Sequence, residues 1–196
     1  MNYLAHSILS FTDGQLVGNM IADFIKNNER ENFPPAIQEG IALHRAIDTF
    51  TDSHPAVSEA KKLFSPLVRL YSGAFVDVAF DYFVAHLYTE SELKIHSANT
   101  YRILWENEQW LPKQYKRMLV KMEQDDWLFH YRTDQTIKFS IQNVLNKAKY
   151  LDKDLPVFEV FLRSKKELQI DFDKFFPDIF YECEVKFKKP DRIYWK

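Results

Sequence analysis

Along residues 35–55 apolar side chains recur at helical intervals, and the stripe they draw contains ionisable groups. At about 100° per residue, Ile37, Ile41, Leu43, Ile47 and Phe50 define one broad face. His44 and Asp48 fall on that same face, whereas Gln38, Glu39 and Thr49 point elsewhere. Pro34 and Pro35 mark the entry, because proline is tolerated in a helix's first turn and sets its direction. An imidazole and a carboxylate in an apolar stripe cost free energy unless each finds a partner. Their i, i+4 spacing stacks them over one spot. That suits a shared metal ion, or a hydrogen-bonded polar core, and this helix alone leaves both open. Arg45 and Asp52 flank the face, within reach of a pocket rim.

A second stretch, 67–88, is apolar nearly all round and is expected near the centre of the protein. Its only acidic residues are Asp77 and Asp81, again four apart. Two carboxylates on one face of a buried helix repel each other and are costly to desolvate. A cation is the simplest remedy, since no lysine or arginine on that helix can neutralise them.

The remaining pattern predicts further helices at 2–10, 15–24, 92–111, 113–131, 133–151 and from Pro156 towards Lys166. Thr12-Asp13-Gly14 reads as a turn and 26–32 as an exposed polar loop. Ser53 is placed to cap a helix that starts after Pro55 and is broken by Pro66. Beyond Ser164 the pattern is harder to parse: a helix broken at Pro177, a short strand candidate over 184–188, and an end to regular structure at Pro190. The expected fold is all-α, one helical-bundle domain over 1–196. Its motif-bearing half is 1–88, and 89–196 is an amphipathic helical second half.

Composition narrows this picture. Glycine is scarce, at four residues in 196, against 17 Phe, 10 Tyr and 4 Trp. So few glycines disfavour a tight-turned β fold. Net charge is −2 with the two signs interleaved, so no global field points to nucleic acid. A single cysteine, Cys183, excludes an internal disulfide and a cysteine-ligated zinc site. The N-terminal run lacks a basic flank and a cleavage site, and the one near-spanning apolar window holds Asp77, Asp81 and His86. A soluble, cytoplasmic protein with no membrane partner is expected.

The ionisable residues lying among apolar neighbours are His6, Asp23, His44, Asp48, Asp77 and Asp81. Mixed imidazole and carboxylate ligands suit Mn²⁺, Mg²⁺, Fe²⁺ or Zn²⁺. One or two such ions polarise phosphoryl oxygens and generate hydroxide from water. The Glu-x-x-His pairs of di-iron bundles are absent, which favours hydrolysis over oxygen chemistry.

Four segments carry a resemblance: N-Y-L-A-H at 2–6, G-N-M-I-A-D-F at 18–24, G-I-A-L-H-R-A-I-D-T-F-T-D-S-H-P at 40–55, and V-D-V-A-F-D-Y-F at 76–83. Together they resemble the acyl carrier protein phosphodiesterase family, specifically over 1–88 and loosely beyond. The resemblance implies hydrolysis of the phosphodiester joining 4′-phosphopantetheine to a serine of holo-acyl carrier protein, releasing the apo-protein and phosphopantetheine. It also implies kinship with the all-helical HD metal-dependent phosphohydrolases, with manganese the expected metal. The adjacent His-Asp dipeptide of the HD group is missing, and His44 and Asp48 stand one turn apart instead. The ligand set is therefore inferred from spacing: His6, Asp23, His44, Asp48, Asp77 and Asp81.

Asp23, His44, Asp48 and Arg45 are the expected catalytic groups, Arg45 as a bidentate phosphate donor or, equally, as the partner of Asp52. Asp52 and His54 are either outer members of the site or part of a capping turn. Asn2 and Asn19 are candidate pocket amides or helix-end residues, and His86, His96 and His130 are read as packing or surface histidines. Lys26, Arg30, Lys61, Lys62 and Arg69 are the basic residues nearest the motifs, for contact with an acidic carrier protein. Two other classes stay open: a phosphohydrolase of small molecules or nucleotides, and a non-catalytic helical interaction protein. Metal content separates the last from the enzymes.

Overall fold

The computed structural model describes residues 2–188 and is all-α, with no strand among the described residues. The helices are α1 (Tyr3–Ile8), α2 (Asp13–Ile21), α3 (Pro35–Ser53), α4 (Pro55–Val68), α5 (Ser72–His86), α6 (Glu90–Glu106), α7 (Lys113–Gln124), α8 (Trp127–His130), α9 (Asp134–Lys147), α10 (Val157–Arg163) and α11 (Lys165–Phe187). Short 3₁₀ turns punctuate them, including one over Asn27–Asn32 where an exposed loop was expected.

The helix ends follow side-chain chemistry. The Thr12 hydroxyl accepts from the Gln15 amide and opens α2, so Gly14 lies inside the helix and not in a turn. Thr89 and Glu92 form a reciprocal capping box at the start of α6. Between α3 and α4 the cap is His54, not Ser53: the His54 ring Nδ1 accepts from the Ala56 amide, and Ser53 is the last residue of α3. Asp126, at φ +40°, separates α7 from α8 within the stretch expected to be one helix.

Neither internal proline breaks its helix. Pro66 lies within the last turn of α4, and the break comes at Arg69, whose backbone takes φ +50°. Pro177 lies inside α11, which runs unbroken and also absorbs the strand candidate at 184–188. Each proline removes one helical hydrogen bond. In α11 the burial of Phe172, Phe175, Phe176 and Ile179 outweighs that loss. The end expected at Pro190 lies outside the described residues.

One contiguous cluster of buried apolar side chains extends from Leu4 to Cys183. At its middle α5 contributes Phe75, Val76, Val78, Ala79, Phe80, Val84 and Ala85, each no more than 1% exposed. The long helix α11 lies across α3, α4 and α5, with Phe172 and Phe175 against Phe80. The central position expected for 67–88 therefore holds for α5 and fails for the turn Arg69–Tyr71, where Leu70 is 99% exposed. By length and composition 55–86 is apolar enough to cross a membrane. It is two helices parted at Arg69, and α5 spends its apolar surface on the core.

Two contacts set the geometry of the first half. Glycines of α2 and α3 pack backbone to backbone. A Cβ on Gly18 would stand 2.0 Å from Ile37 O, and one on Gly40 would stand 2.3 Å from Gln15 O. The second contact is Asp81 of α5, fully buried, which receives three amides at the start of α1. Its Oδ1 accepts from Asn2 and Ala5 at 3.2 and 3.3 Å, and its Oδ2 from Leu4 at 2.9 Å. These amides are among the donors a helix start leaves without a partner.

Candidate active site

A cavity of about 340 Å³ opens where α1, α2, α3 and α5 meet. It is lined by Asn2, Tyr3, His6, Asn19, Met20, Asp23, His44, Asp48, Thr51, Asp52 and Asp77. His6 arrives on α1, Asn19 on α2, Asp23 on the 3₁₀ turn after α2, and His44 and Asp48 on successive turns of α3.

The two imidazoles stack, with centroids 4.2 Å apart and planes 17° from parallel. Asn19, fully buried in α2, holds both. Its Oδ1 lies 2.7 Å from His6 Nδ1, and its backbone oxygen lies 2.9 Å from His44 Nδ1. Its Nδ2 donates to His6 O and Ser10 Oγ, which leaves Oδ1 as the acceptor for the histidines. Both Nδ1 atoms therefore carry hydrogen, and both Nε2 atoms face the cavity.

There the carboxylates meet them. His44 Nε2 lies 3.1 Å from Asp23 Oδ1 and 3.2 Å from Asp48 Oδ2, and His6 Nε2 lies 3.5 Å from Asp48 Oδ1. Burial alone would lower the His44 pKa, but the hydrogen bonds and charge of Asp23 and Asp48 raise it to about 9. Burial lowers the His6 pKa, and the charge on the stacked His44 lowers it further, against the raising effect of Asp48. The His44 hydrogen bond lowers Asp23. Burial would raise Asp48, yet hydrogen bonds from His44 and His6 hold it well below the ordinary carboxylate range.

His6, His44 and Asp48 each present a ligand atom, and the three atoms lie within 4.8 Å of one another. Neutral imidazole nitrogens with a carboxylate suit a divalent ion of borderline or hard character, and Asn19 supplies the outer hydrogen bonds that orient such ligands. Binding there displaces the proton from His44. The donor set therefore fits the divalent metal expected from the sequence.

Not every expected residue comes here. Asp77 reaches the cavity wall, but Asp81, one turn further along α5, does not. Its carboxylate is committed to the α1 amides, which answer the burial cost by a route other than a cation. Convergence of all four residues, His44, Asp48, Asp77 and Asp81, on one point thus fails at Asp81. Burial raises the Asp81 pKa to about 7 against the lowering effect of those amides. Arg45 is not among the lining residues, and the ion pair formed by Asp52 at the rim is with Lys61, at 2.9 Å. His54, besides capping α4, pairs with Asp178 at 3.2 Å. His86, His96 and His130 stand on Tyr82 O, Ser7 Oγ and the Asp125 and Asp126 carbonyls, away from the cavity. Tyr3, Met20 and Thr51 line the site without having been singled out in the sequence. Thr51 had a legible signal, standing one turn beyond Asp48 on the same helix face.

Comparison with known proteins gives one consistent result. A family model described as acyl carrier protein phosphodiesterase matches residues 1–179. A Yersinia pestis protein named acyl carrier protein phosphodiesterase is 27% identical over 95% of this chain and 99% of its own length. Proteins of the same name from Salmonella dublin and Escherichia coli O139:H28 are 30% and 33% identical over 78% and 74% of this chain, and over 81% and 76% of their own. No solved structure matches.

Proposed function

The chain belongs to the acyl carrier protein phosphodiesterase family, and from that membership we propose that the His6–His44–Asp48 cavity is its active site. There it hydrolyses the phosphodiester between 4′-phosphopantetheine and a serine of holo-acyl carrier protein. The observation that carries this reading is the convergence of two Nε2 atoms and one carboxylate in a cavity of about 340 Å³. Among the described residues four aspartates line that cavity, Asp23, Asp48, Asp52 and Asp77, and no lysine or arginine does. A phosphodiester anion is repelled by such a wall unless a cation stands between them.

His6, His44 and Asp48 would hold a divalent ion, Mn²⁺ by family resemblance, with Asp23 and Asp77 at its margin. When bound, the ion supplies Lewis-acid polarisation of the phosphoryl group and a lowered pKa for water. The protein's own residues do the rest. Asn19 keeps both imidazoles in one tautomer and orientation. Asp23 Oδ1 lies 3.1 Å from the His44 Nε2 that would take the ion, so metal binding would release its carboxylate to accept the proton of the attacking water. The water oxygen bonds to phosphorus, the bond from phosphorus to the serine oxygen breaks, and that oxygen gains the proton. Positioning and charge stabilisation carry most of such a reaction. Kinship with the HD phosphohydrolases belongs to the same reading and is supported by inward-facing histidines and aspartates on neighbouring helices. Of the basic residues offered for carrier-protein contact, Lys61 and Lys62 are paired with Asp52 and Glu59.

Mass spectrometry of holo-acyl carrier protein incubated with the protein and Mn²⁺ tests this. The prosthetic-group mass is expected to disappear. Chelator, His44→Ala or Asp48→Asn should each prevent the loss while leaving helicity unchanged. A metal-loaded wild type that spares the carrier protein yet cleaves another phosphoester would overturn the substrate assignment.

A further inference from the structure

We infer that Thr51 is a substrate-contacting residue, its hydroxyl donating a hydrogen bond to a non-bridging oxygen of the phosphodiester. The inference rests on the active-site reading above. Thr51 lines the cavity one turn beyond Asp48, is 3% exposed, and its Oγ1 is buried with no hydrogen-bond partner among the described residues. A buried hydroxyl left unpaired costs free energy, and a helix offers an easy remedy in the carbonyl of the preceding turn. Two neighbours on the same helix take it. Thr49 donates to Arg45 O at 2.8 Å and Ser53 to Phe50 O at 3.0 Å. Thr51, standing between them, does not, so its donor is kept for something the fold itself does not supply.

The surroundings narrow what that is. The side chains that line the cavity include four carboxylates, each a potential acceptor for a hydroxyl, and none is bonded to Thr51. Two other donors in the wall are already used: Asn19 Nδ2 on His6 O and Ser10 Oγ, and Tyr3 Oη on Met118 Sδ. With no lysine or arginine among the described residues lining the cavity, a neutral hydroxyl offers the phosphoryl group a hydrogen bond without competing for the cation. It acts at an oxygen common to all phosphodiesters, so its contribution does not depend on the carrier protein.

Thr51→Val removes the hydroxyl at nearly constant shape, and Thr51→Ser keeps it. With Mn²⁺ present, kcat/KM is measured on holo-acyl carrier protein and on bis(4-nitrophenyl) phosphate, beside thermal melts. Thr51→Val is expected to lose about 10–100-fold on each substrate the wild type cleaves, as for a hydrogen bond to a charged group, and Thr51→Ser only a few-fold. The melting temperature of Thr51→Val should equal or exceed that of wild type, because an unpaired buried hydroxyl has been removed. A structural role predicts the opposite sign. Undiminished activity of Thr51→Val, equal losses in both variants, or a lower melting temperature for Thr51→Val overturns the inference. A wild type active only on the small diester overturns the carrier-protein assignment and leaves the Thr51 comparison decisive. Activity on neither substrate overturns both.

Discussion

Asn19 decides which nitrogen of each imidazole faces the cavity, and it does so with one residue for both rings. Its two oxygens accept from the two Nδ1 atoms, and its Nδ2 is tied to His6 O and Ser10 Oγ, so the side chain has no second orientation that satisfies its partners. Removing it leaves the ligand atoms in place but releases their direction. On the proposed metal-site reading, Asn19→Ala should weaken Mn²⁺ binding by about 10–100-fold, the usual cost of losing an outer hydrogen bond to a metal-ligating histidine. Titration calorimetry on the folded variant reads this directly, and an unchanged affinity would remove Asn19 from the site. Asn19 was visible in the sequence only as a candidate pocket amide. Its role depends on His6 and His44, which lie 13 and 25 positions away.

At the scale of helices, the site depends on how closely α2 approaches α3. Gly18 and Gly40 permit that approach, since the space a Cβ would need is taken by the Ile37 and Gln15 backbone oxygens. Backbone cannot rotate away as a flexible side chain can, so the helices would have to separate. Gly18→Ala should therefore destabilise by about 1–3 kcal/mol or more. It should also lower activity in the molecules that remain folded, because Asn19 and His44 ride on the two separated helices. Chemical denaturation gives the first effect and kcat/KM per folded molecule the second. Stability close to wild type would show that the crossing is looser than described. The scarcity of glycine was plain in the sequence, but not the pairing of Gly18 with Gly40.

At the scale of the whole molecule, α6 is joined to α1 by a histidine. His96 Nε2 lies 2.8 Å from Ser7 Oγ, whose own hydrogen goes to Leu4 O, so the imidazole is the donor. Burial lowers the His96 pKa from 6.5 to about 4. The unfolded chain therefore binds more protons than the folded one between those values, and stability falls as pH drops from about 6.5 towards 4. The residue His96 should account for about 1–2 kcal/mol of that loss, allowing for its partial exposure. His96→Gln keeps a donor for Ser7 and removes the titration, so urea unfolding at pH 7 and pH 5 should differ less for the variant than for wild type. An identical pH dependence would place the acid sensitivity elsewhere.

The sequence by itself determined the helical class, the central place of α5 and the presence of ionisable groups on buried faces, because helical periodicity and i, i+4 spacing are local properties. It also singled out His6, Asp23, His44, Asp48 and Asp77, all of which reach the cavity wall. Only the tertiary structure decided what each buried carboxylate pairs with. Asp77 and Asp81 are alike in sequence, one turn apart on one helix. Yet Asp77 lines the cavity, and Asp81 meets the amides of a helix whose N-cap, Asn2, lies 79 residues earlier. Buried charge must be compensated, and spacing reveals that need without revealing whether a cation or a set of N–H donors meets it. The same holds for Pro66 and Pro177: the lost hydrogen bond is local, but the burial that keeps α11 continuous comes from partners elsewhere in the chain. Thr51 is the converse case, a hydroxyl whose easy local partner was declined, which only the arrangement around the cavity could show.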